Sequence, residues 1–118
     1  MTRLILFALP WPDKTLSSNA RVHWSKRSKA TKAAREEAAW SAIAAGIKNI
    51  SGERFDVLVE FYPPDRRKRD AHNFPAMVKG HIDGIADAIG CDDNLFDVTF
   101  KAHPFDGKGG VLFTVAGK

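Results

Sequence analysis

The chain has 118 residues, the size of one ordinary domain, and its 44% hydrophobic content can fill a real core. Lys and Arg number 18 against 14 Asp and Glu, a net charge of +4, and no apolar stretch approaches the ~20 residues of a membrane span. The single cysteine, Cys91, excludes an internal disulfide and suits a reducing compartment. The opening Met1-Thr2-Arg3-Leu4-Ile5-Leu6-Phe7 is too short for a secretory signal, so a soluble, cytoplasmic single domain spanning 1–118 is expected.

In chain order, Leu4 to Leu9 is a short apolar run closed by Pro10 and Pro12, which predicts a buried strand because proline forbids its continuation as a helix. Lys14 to Lys26 shows no period, and Ser17, Ser18 and Asn19 mark a loop. From about Ser28 to Ile47 alanine dominates, and Ala33, Trp40, Ile43, Ala44 and Ile47 recur near helical spacing. This predicts a long helix with Gly46 near its end and basic first turns. Phe55, Val57, Val59 and Phe61 alternate with Asp56, Leu58, Glu60 and Tyr62, a strand pattern stopped by Pro63-Pro64.

Asn73 is placed to cap a second helix, with Pro75 tolerable only in its first turn and Phe74, Met77, Val78, Ile82, Ile85 and Ile89 as its apolar stripe. Gly80, Gly84 and Ala88 form a small-residue ridge at spacing four that invites close approach by another backbone, the alanine-rich helix being the candidate. Lys79, Asp83 and Asp87 occupy the opposite side, and Gly90 ends the helix. Asp97 to His103 and Val111 to Val115 then read as two strands joined by a hairpin loop through Pro104-Phe105-Asp106-Gly107-Lys108-Gly109-Gly110. The order strand, helix, strand, helix, strand, strand predicts an α+β domain, a small mixed sheet with two helices on one face.

Two clusters carry chemistry. Arg66-Arg67-Lys68-Arg69 sets four consecutive cations directly before Asp70-Ala71-His72-Asn73. Arg21, Lys26, Arg27, Lys29, Lys32 and Arg35 run without an acid until Glu36. Such clustering is the electrostatic footprint of a polyanion partner, although a basic run alone also describes a solvated helix face. The carboxylates Asp70, Asp92 and Asp93 supply hard ligands for a divalent cation that could polarise a phosphodiester and activate water. Taken singly, Asp92-Asp93-Asn94 also describes a turn, and Asp70 could simply pair with Arg67.

Leu9-Pro10-Trp11-Pro12, Pro64-Asp65-Arg66-Arg67-Lys68-Arg69-Asp70-Ala71-His72-Asn73, and Lys79, Asp83, Asp92 and Asp93 together resemble the RusA-type Holliday junction resolvases, from about Leu9 to Asp97. The resemblance implies a RusA-like fold and a Mg²⁺-dependent endonuclease. It would resolve four-way DNA junctions by paired nicks in recombination and repair, as a twofold homodimer. It makes Asp70 and Asp93 catalytic metal-ligating carboxylates and Lys79 the phosphate-facing lysine; Asp92, beside Asp93, is a further candidate ligand by its chemistry alone.

Family members usually carry Asp-x-Asp-Asn, so the second aspartate falls on His72. An imidazole there weakens the site for Mg²⁺ and favours Mn²⁺ or a softer metal. Lys79 also follows Asn73 by six residues instead of three, a one-turn insertion that keeps its interval of four to Asp83.

Alternatives remain open at this point. His72 reads as metal ligand, proton shuttle or loop residue, and Lys79 as phosphate ligand or as an ordinary helix partner of Asp83. Zinc held by His72, His81, His103 and Cys91 is disfavoured by the absence of paired spacing. Trp11, Trp24, Phe74 and Tyr62 are stacking candidates, Trp24 foremost because His23 and the basic run flank it. The DNA contacts expected are Arg66, Arg67, Lys68 and Arg69 with Trp24, Lys26, Arg27, Lys29 and Lys32. A helix from Phe74 to Ile89 would be ~24 Å long and would separate Asp70 from Asp93. The flanking loops must then fold back, the helix be shorter, or another subunit complete the site. The rival functions are a nuclease for other branched DNA and a DNA-binding module that no longer cuts.

Overall fold

The computed structural model describes residues 3–17 and 20–118; Ser18 and Asn19 of the expected loop lie outside the described residues. Strand β1 is Leu4–Leu9, helix α1 Trp24–Ala44, strand β2 Phe55–Tyr62, helix α2 Phe74–Met77, helix α3 Lys79–Ile89, strand β3 Phe96–Ala102 and strand β4 Gly110–Gly117. The four strands form one mixed sheet in the order β1-β4-β2-β3. Strands β2 and β3 run parallel, with Phe55 opposite Phe96, while β4 is antiparallel to both β2 and β1. The α+β class, with helices on one face of a small mixed sheet, is therefore as expected.

The alternation in β2 holds: Phe55, Val57, Val59 and Phe61 are buried, and with Ile5, Phe7 and Leu9 of β1 and Val111, Phe113 and Val115 of β4 they form the core beneath the helices. The Phe7 and Phe113 rings stack at 5.1 Å across the β1–β4 pair, the kind of cross-strand contact that pins register.

The hairpin expected between the last two strands does not form. Strand β2 lies between β3 and β4, so residues 103–109 cross the end of β2. Strand β4 instead pairs antiparallel with both β2 and β1, filling the place between them and leaving the outer edge of β3 unpaired. Gly109, at φ 84°, makes the crossing possible, since a Cβ there would stand 2.7 Å from Pro64 Cα.

Helix α1 starts four residues before the expected Ser28, because His23 caps it: its Nδ1 accepts the Ser25 N–H at 3.2 Å. The stripe buried within the helix is Ala34, Ala38 and Ala42; of the anticipated residues Ile47, just past the helix end, is in the core and Ile43 packs against it, whereas Ala33 and Ala44 are exposed and Trp40 is 71% exposed. Alanine at spacing four faces glycine at spacing four. A Cβ on Gly80 would lie 2.9 Å from the Thr31 carbonyl oxygen, and one on Gly84 would collide with the Arg35 carbonyl. The small-residue ridge thus seats the alanine-rich helix, as its spacing suggests. Arg35 reinforces the contact through two bonds to Asp87, at 2.5 and 2.8 Å.

The second helix is interrupted. A tight helical turn, Ala71–Asn73, runs into α2, and at Val78 (φ −113°, ψ 12°) the backbone N–H turns to the Pro75 carbonyl before α3 begins. Asn73 makes no side-chain cap; Asp70 caps the preceding turn by accepting the His72 N–H at 3.0 Å. Gly90, at φ 87°, closes α3 in the left-handed conformation.

Candidate nucleic-acid and metal site

The cations of residues 66–69 are presented on a turn braced from within. Asp65 accepts the Arg67 N–H at 2.8 Å and the Arg69 guanidinium at 2.7 Å, which hold its carboxyl down at about 2. The acid that pairs in this segment is therefore Asp65, and Asp70 is left to cap the next turn. Arg69 also lies 5.7 Å from the centre of the Trp11 ring, and Trp11 packs edge-on against Phe74 at 5.1 Å. Arg66, Arg67 and Lys68 stay exposed.

A cleft of about 420 Å³ beside this turn is lined by Arg67, Lys68, Arg69 and Asp70 on one side and by Trp11 and Lys14 on the other. It places a carboxylate and four cations around one space. This is an arrangement that draws in a phosphate and sets a metal-binding oxygen next to it. His72, also exposed, follows in the same turn.

The second acidic group forms around the turn Asp93–Leu95. Asp92 caps it, accepting the Asn94 N–H at 2.9 Å. The Asp93 carboxyl is raised above the usual carboxylate range, chiefly by a hydrogen bond with Asp92, then by desolvation and the charges of Asp83 and Asp92; Lys79 opposes this. The loop after α3 therefore folds back along the helix, within electrostatic reach of Lys79 and Asp83. Two aspartates sharing a hydrogen bond and crowding a third negative charge make a region that gains from a bound cation. Asp87, by contrast, belongs to the α1–α3 contact through Arg35.

These two groups are not joined. Among the described residues, no three His, Cys, Asp or Glu side chains converge into a metal site. Topology accounts for this: Asp70 shares its cleft with Trp11 and Pro12, just past the end of β1, while Asp92 and Asp93 directly precede β3 at the other end of the sheet.

The expected α1 contacts divide. Trp24, 75% exposed beside His23, and Lys26 and Lys29 face solvent at the start of the helix. Arg27 is committed elsewhere: it donates to the Ala20 carbonyl at 2.7 Å, tying the preceding loop to the helix. Lys32 borders a different cleft, with Arg35 and Trp40. Of the residues in the disfavoured zinc set, His81 is buried and its ring stacks on Phe113, and Cys91 is half-buried.

One group has no counterpart in the sequence reading. Glu60 accepts the Tyr62 hydroxyl at 3.3 Å and lies 2.9 Å from His103 Nε2, and the Tyr62 and His103 rings stack at 4.5 Å. The parity of β2 places Glu60 and Tyr62 on one face, but only the β2–β3 register brings His103 to them.

No helix among the described residues is long and apolar enough to cross a membrane. No family model matches the chain. It is 48% identical over 99 residues to an uncharacterised protein of Xylella fastidiosa (strain Temecula1 / ATCC 700964), a match covering 81% of this chain and 62% of that protein. The chain thus matches less than two thirds of that relative's length, and the relative brings similarity without an activity.

Proposed function

We propose that this protein is a metal-dependent endonuclease of the cytoplasm that cuts branched DNA, four-way junctions foremost, as its resemblance to the RusA-type resolvases implies. The observation that carries the reading is the cleft in which Arg67, Lys68 and Arg69 stand around Asp70. Phosphates bring most of the binding energy of a nucleic acid, and the cations that attract them here share a space with a carboxylate able to hold a divalent ion.

Asp70 and His72 from one turn and Asp92 and Asp93 from another would hold the metal, Mg²⁺ or Mn²⁺. The raised Asp93 carboxyl supports a place for cation charge. Bound there, the metal would polarise a phosphoryl oxygen and lower the pKa of a water. Lys79, exposed and within electrostatic reach of Asp93, is the residue to neutralise charge on the phosphate. The separation of the two acidic turns favours completion of the site across a twofold homodimer, which also suits paired nicks in two strands.

The test is to incubate the protein with labelled four-way junctions, forks and continuous duplexes in Mg²⁺ and in Mn²⁺. Symmetric nicks in the junction support a resolvase, and cuts confined to forks or flaps indicate the branched-DNA nuclease. A shifted but uncut junction in both metals would leave a binding module and sink the enzymatic reading.

A further inference from the structure

The turn Asp65–Arg69 is flanked by two clefts. One is the cleft of Asp70. The other, about 460 Å³, lies between the turn and residues 102–105. Arg67, Lys68, Arg69 and Phe74 line both, so the turn is a ridge with cations on each flank. Arg69 braces it from within, held by Asp65 and lying against Trp11 on the Asp70 side.

The far wall of the second cleft is built in the same manner as that of the first. His103 is fixed by its bond to Glu60 and by stacking on Tyr62, and its backbone N–H donates to the Phe61 carbonyl at 2.9 Å. Next to it the Arg66 guanidinium lies 5.9 Å from the centre of the Phe105 ring. Each cleft thus combines a cationic flank shared with its neighbour and an aromatic ring already in contact with an arginine. This pairing suits a single polynucleotide strand, whose phosphates take the charge and whose unpaired bases take the ring.

We propose that this ridge parts two DNA strands at a branch point, one running past Asp70 and the other through the cleft of His103 and Phe105. The proposal rests on the branched-DNA reading above and adds the device that would select the branch. In a continuous duplex the two backbones stay paired and only one cleft can be filled. Where strands diverge, both can be filled, and the second cleft then adds affinity that duplex DNA does not receive.

The experiment uses the full chain carrying Asp70→Asn, without divalent metal, so that binding is read without cleavage. Fluorescence anisotropy gives affinities for a four-way junction, a Y-shaped fork and a continuous duplex of equal length. His103→Gln and Phe105→Leu are then added separately, with thermal melts to verify the fold; the glutamine keeps a hydrogen-bonding group beside Glu60. The expected result is that Phe105→Leu lowers the ratio of branched to duplex affinity by about tenfold, the scale of one lost stacking contact, and His103→Gln lowers it by less, while duplex affinity stays within about threefold.

If both variants keep the preference for branched DNA, or lose affinity equally for all three probes, the ridge is not a strand separator, although the nuclease reading survives. If the parent protein shows no preference for branched DNA, the functional reading falls and the ridge proposal with it.

Discussion

The cations of the turn at 66–69 are not equivalent, and salt titration can resolve the difference. Arg69 is already neutralised by Asp65 at 2.7 Å, whereas Arg66, Arg67 and Lys68 are exposed and have no carboxylate partner within ion-pair distance among the described residues. Each phosphate neutralised by a free cation releases counterions, and log K falls with log salt by ~0.9 per contact on duplex DNA. Replacing Arg66, Arg67 and Lys68 together by glutamine should therefore flatten the slope by ~2.7. Between about 50 and about 200 mM salt, the parent should lose ~40-fold more affinity than the triple variant. Arg69→Gln alone should change the slope by less than one contact, because its charge is already spent, yet it should loosen the turn. Arg27→Gln should leave the slope unaltered, since its guanidinium is bonded to the Ala20 carbonyl. Anisotropy on a metal-free, cleavage-deficient protein measures all three. An unchanged slope for the triple variant would place the DNA surface elsewhere and remove the main support for the functional reading.

Asp70→Asn and Asp93→Asn should each abolish nicking while leaving junction affinity intact or tighter, since each removes negative charge; near-normal cleavage by either variant removes that residue from the catalytic set. Gly84→Ala should destabilise the fold by ~1–3 kcal/mol, as its new methyl group meets the Arg35 carbonyl, and a thermal melt should fall by ~4–8 °C per kcal/mol. A melt unchanged by this substitution would mean that the two helices are not packed so closely. His81, 5% exposed and with its Nδ1 unbonded, is held neutral by burial, which pushes its pKa down to about 4. Its folded value lies below the unfolded ~6.5, so the unfolded chain binds the proton first. Stability should then fall as pH drops below ~6.5, by ~2 kcal/mol between pH 7 and pH 5, and His81→Leu should abolish that loss in urea melts.

Periodicity made much of the fold legible, and it failed where partners are remote. The alternation from Phe55 to Tyr62 and the prolines after it fix β2 without help from the rest of the chain. The ridge Gly80, Gly84, Ala88 likewise announced a close neighbour. Side-chain size misled within α1: Trp40 looks like core yet is exposed, because the facing glycines bring the backbones so near that only Ala34, Ala38 and Ala42 fit between them, while Ile43 packs at the margin of the core. The hairpin misjudgement has a similar origin, because sequence neighbourhood suggests pairing while the strand between β3 and β4 comes from far earlier in the chain. Of the site, the basic turn and its aspartates were readable from local order. The cleft walls were not: Trp11 and Lys14, or His103 and Phe105, reach the turn only through the sheet order.

That sheet order also explains why the cationic chemistry collects where it does. Strands β1 and β2 are both antiparallel to β4, and β3 is parallel to β2, so β1, β2 and β3 all point the same way. The segments that leave their carboxyl ends, beginning at Pro10, Pro63 and His103, therefore emerge along one edge of the sheet. There they form both clefts around a single turn. This is the edge at which open sheets with parallel strands generally receive their ligands, because loops there can vary while the strands beneath hold them in place. Asp92 and Asp93 enter from the opposite edge, before β3, and are linked to the first only through α3. A change that shortens or rotates α3 should thus alter the relation of the two acidic turns without disturbing the cationic clefts, separating loss of cleavage from loss of binding.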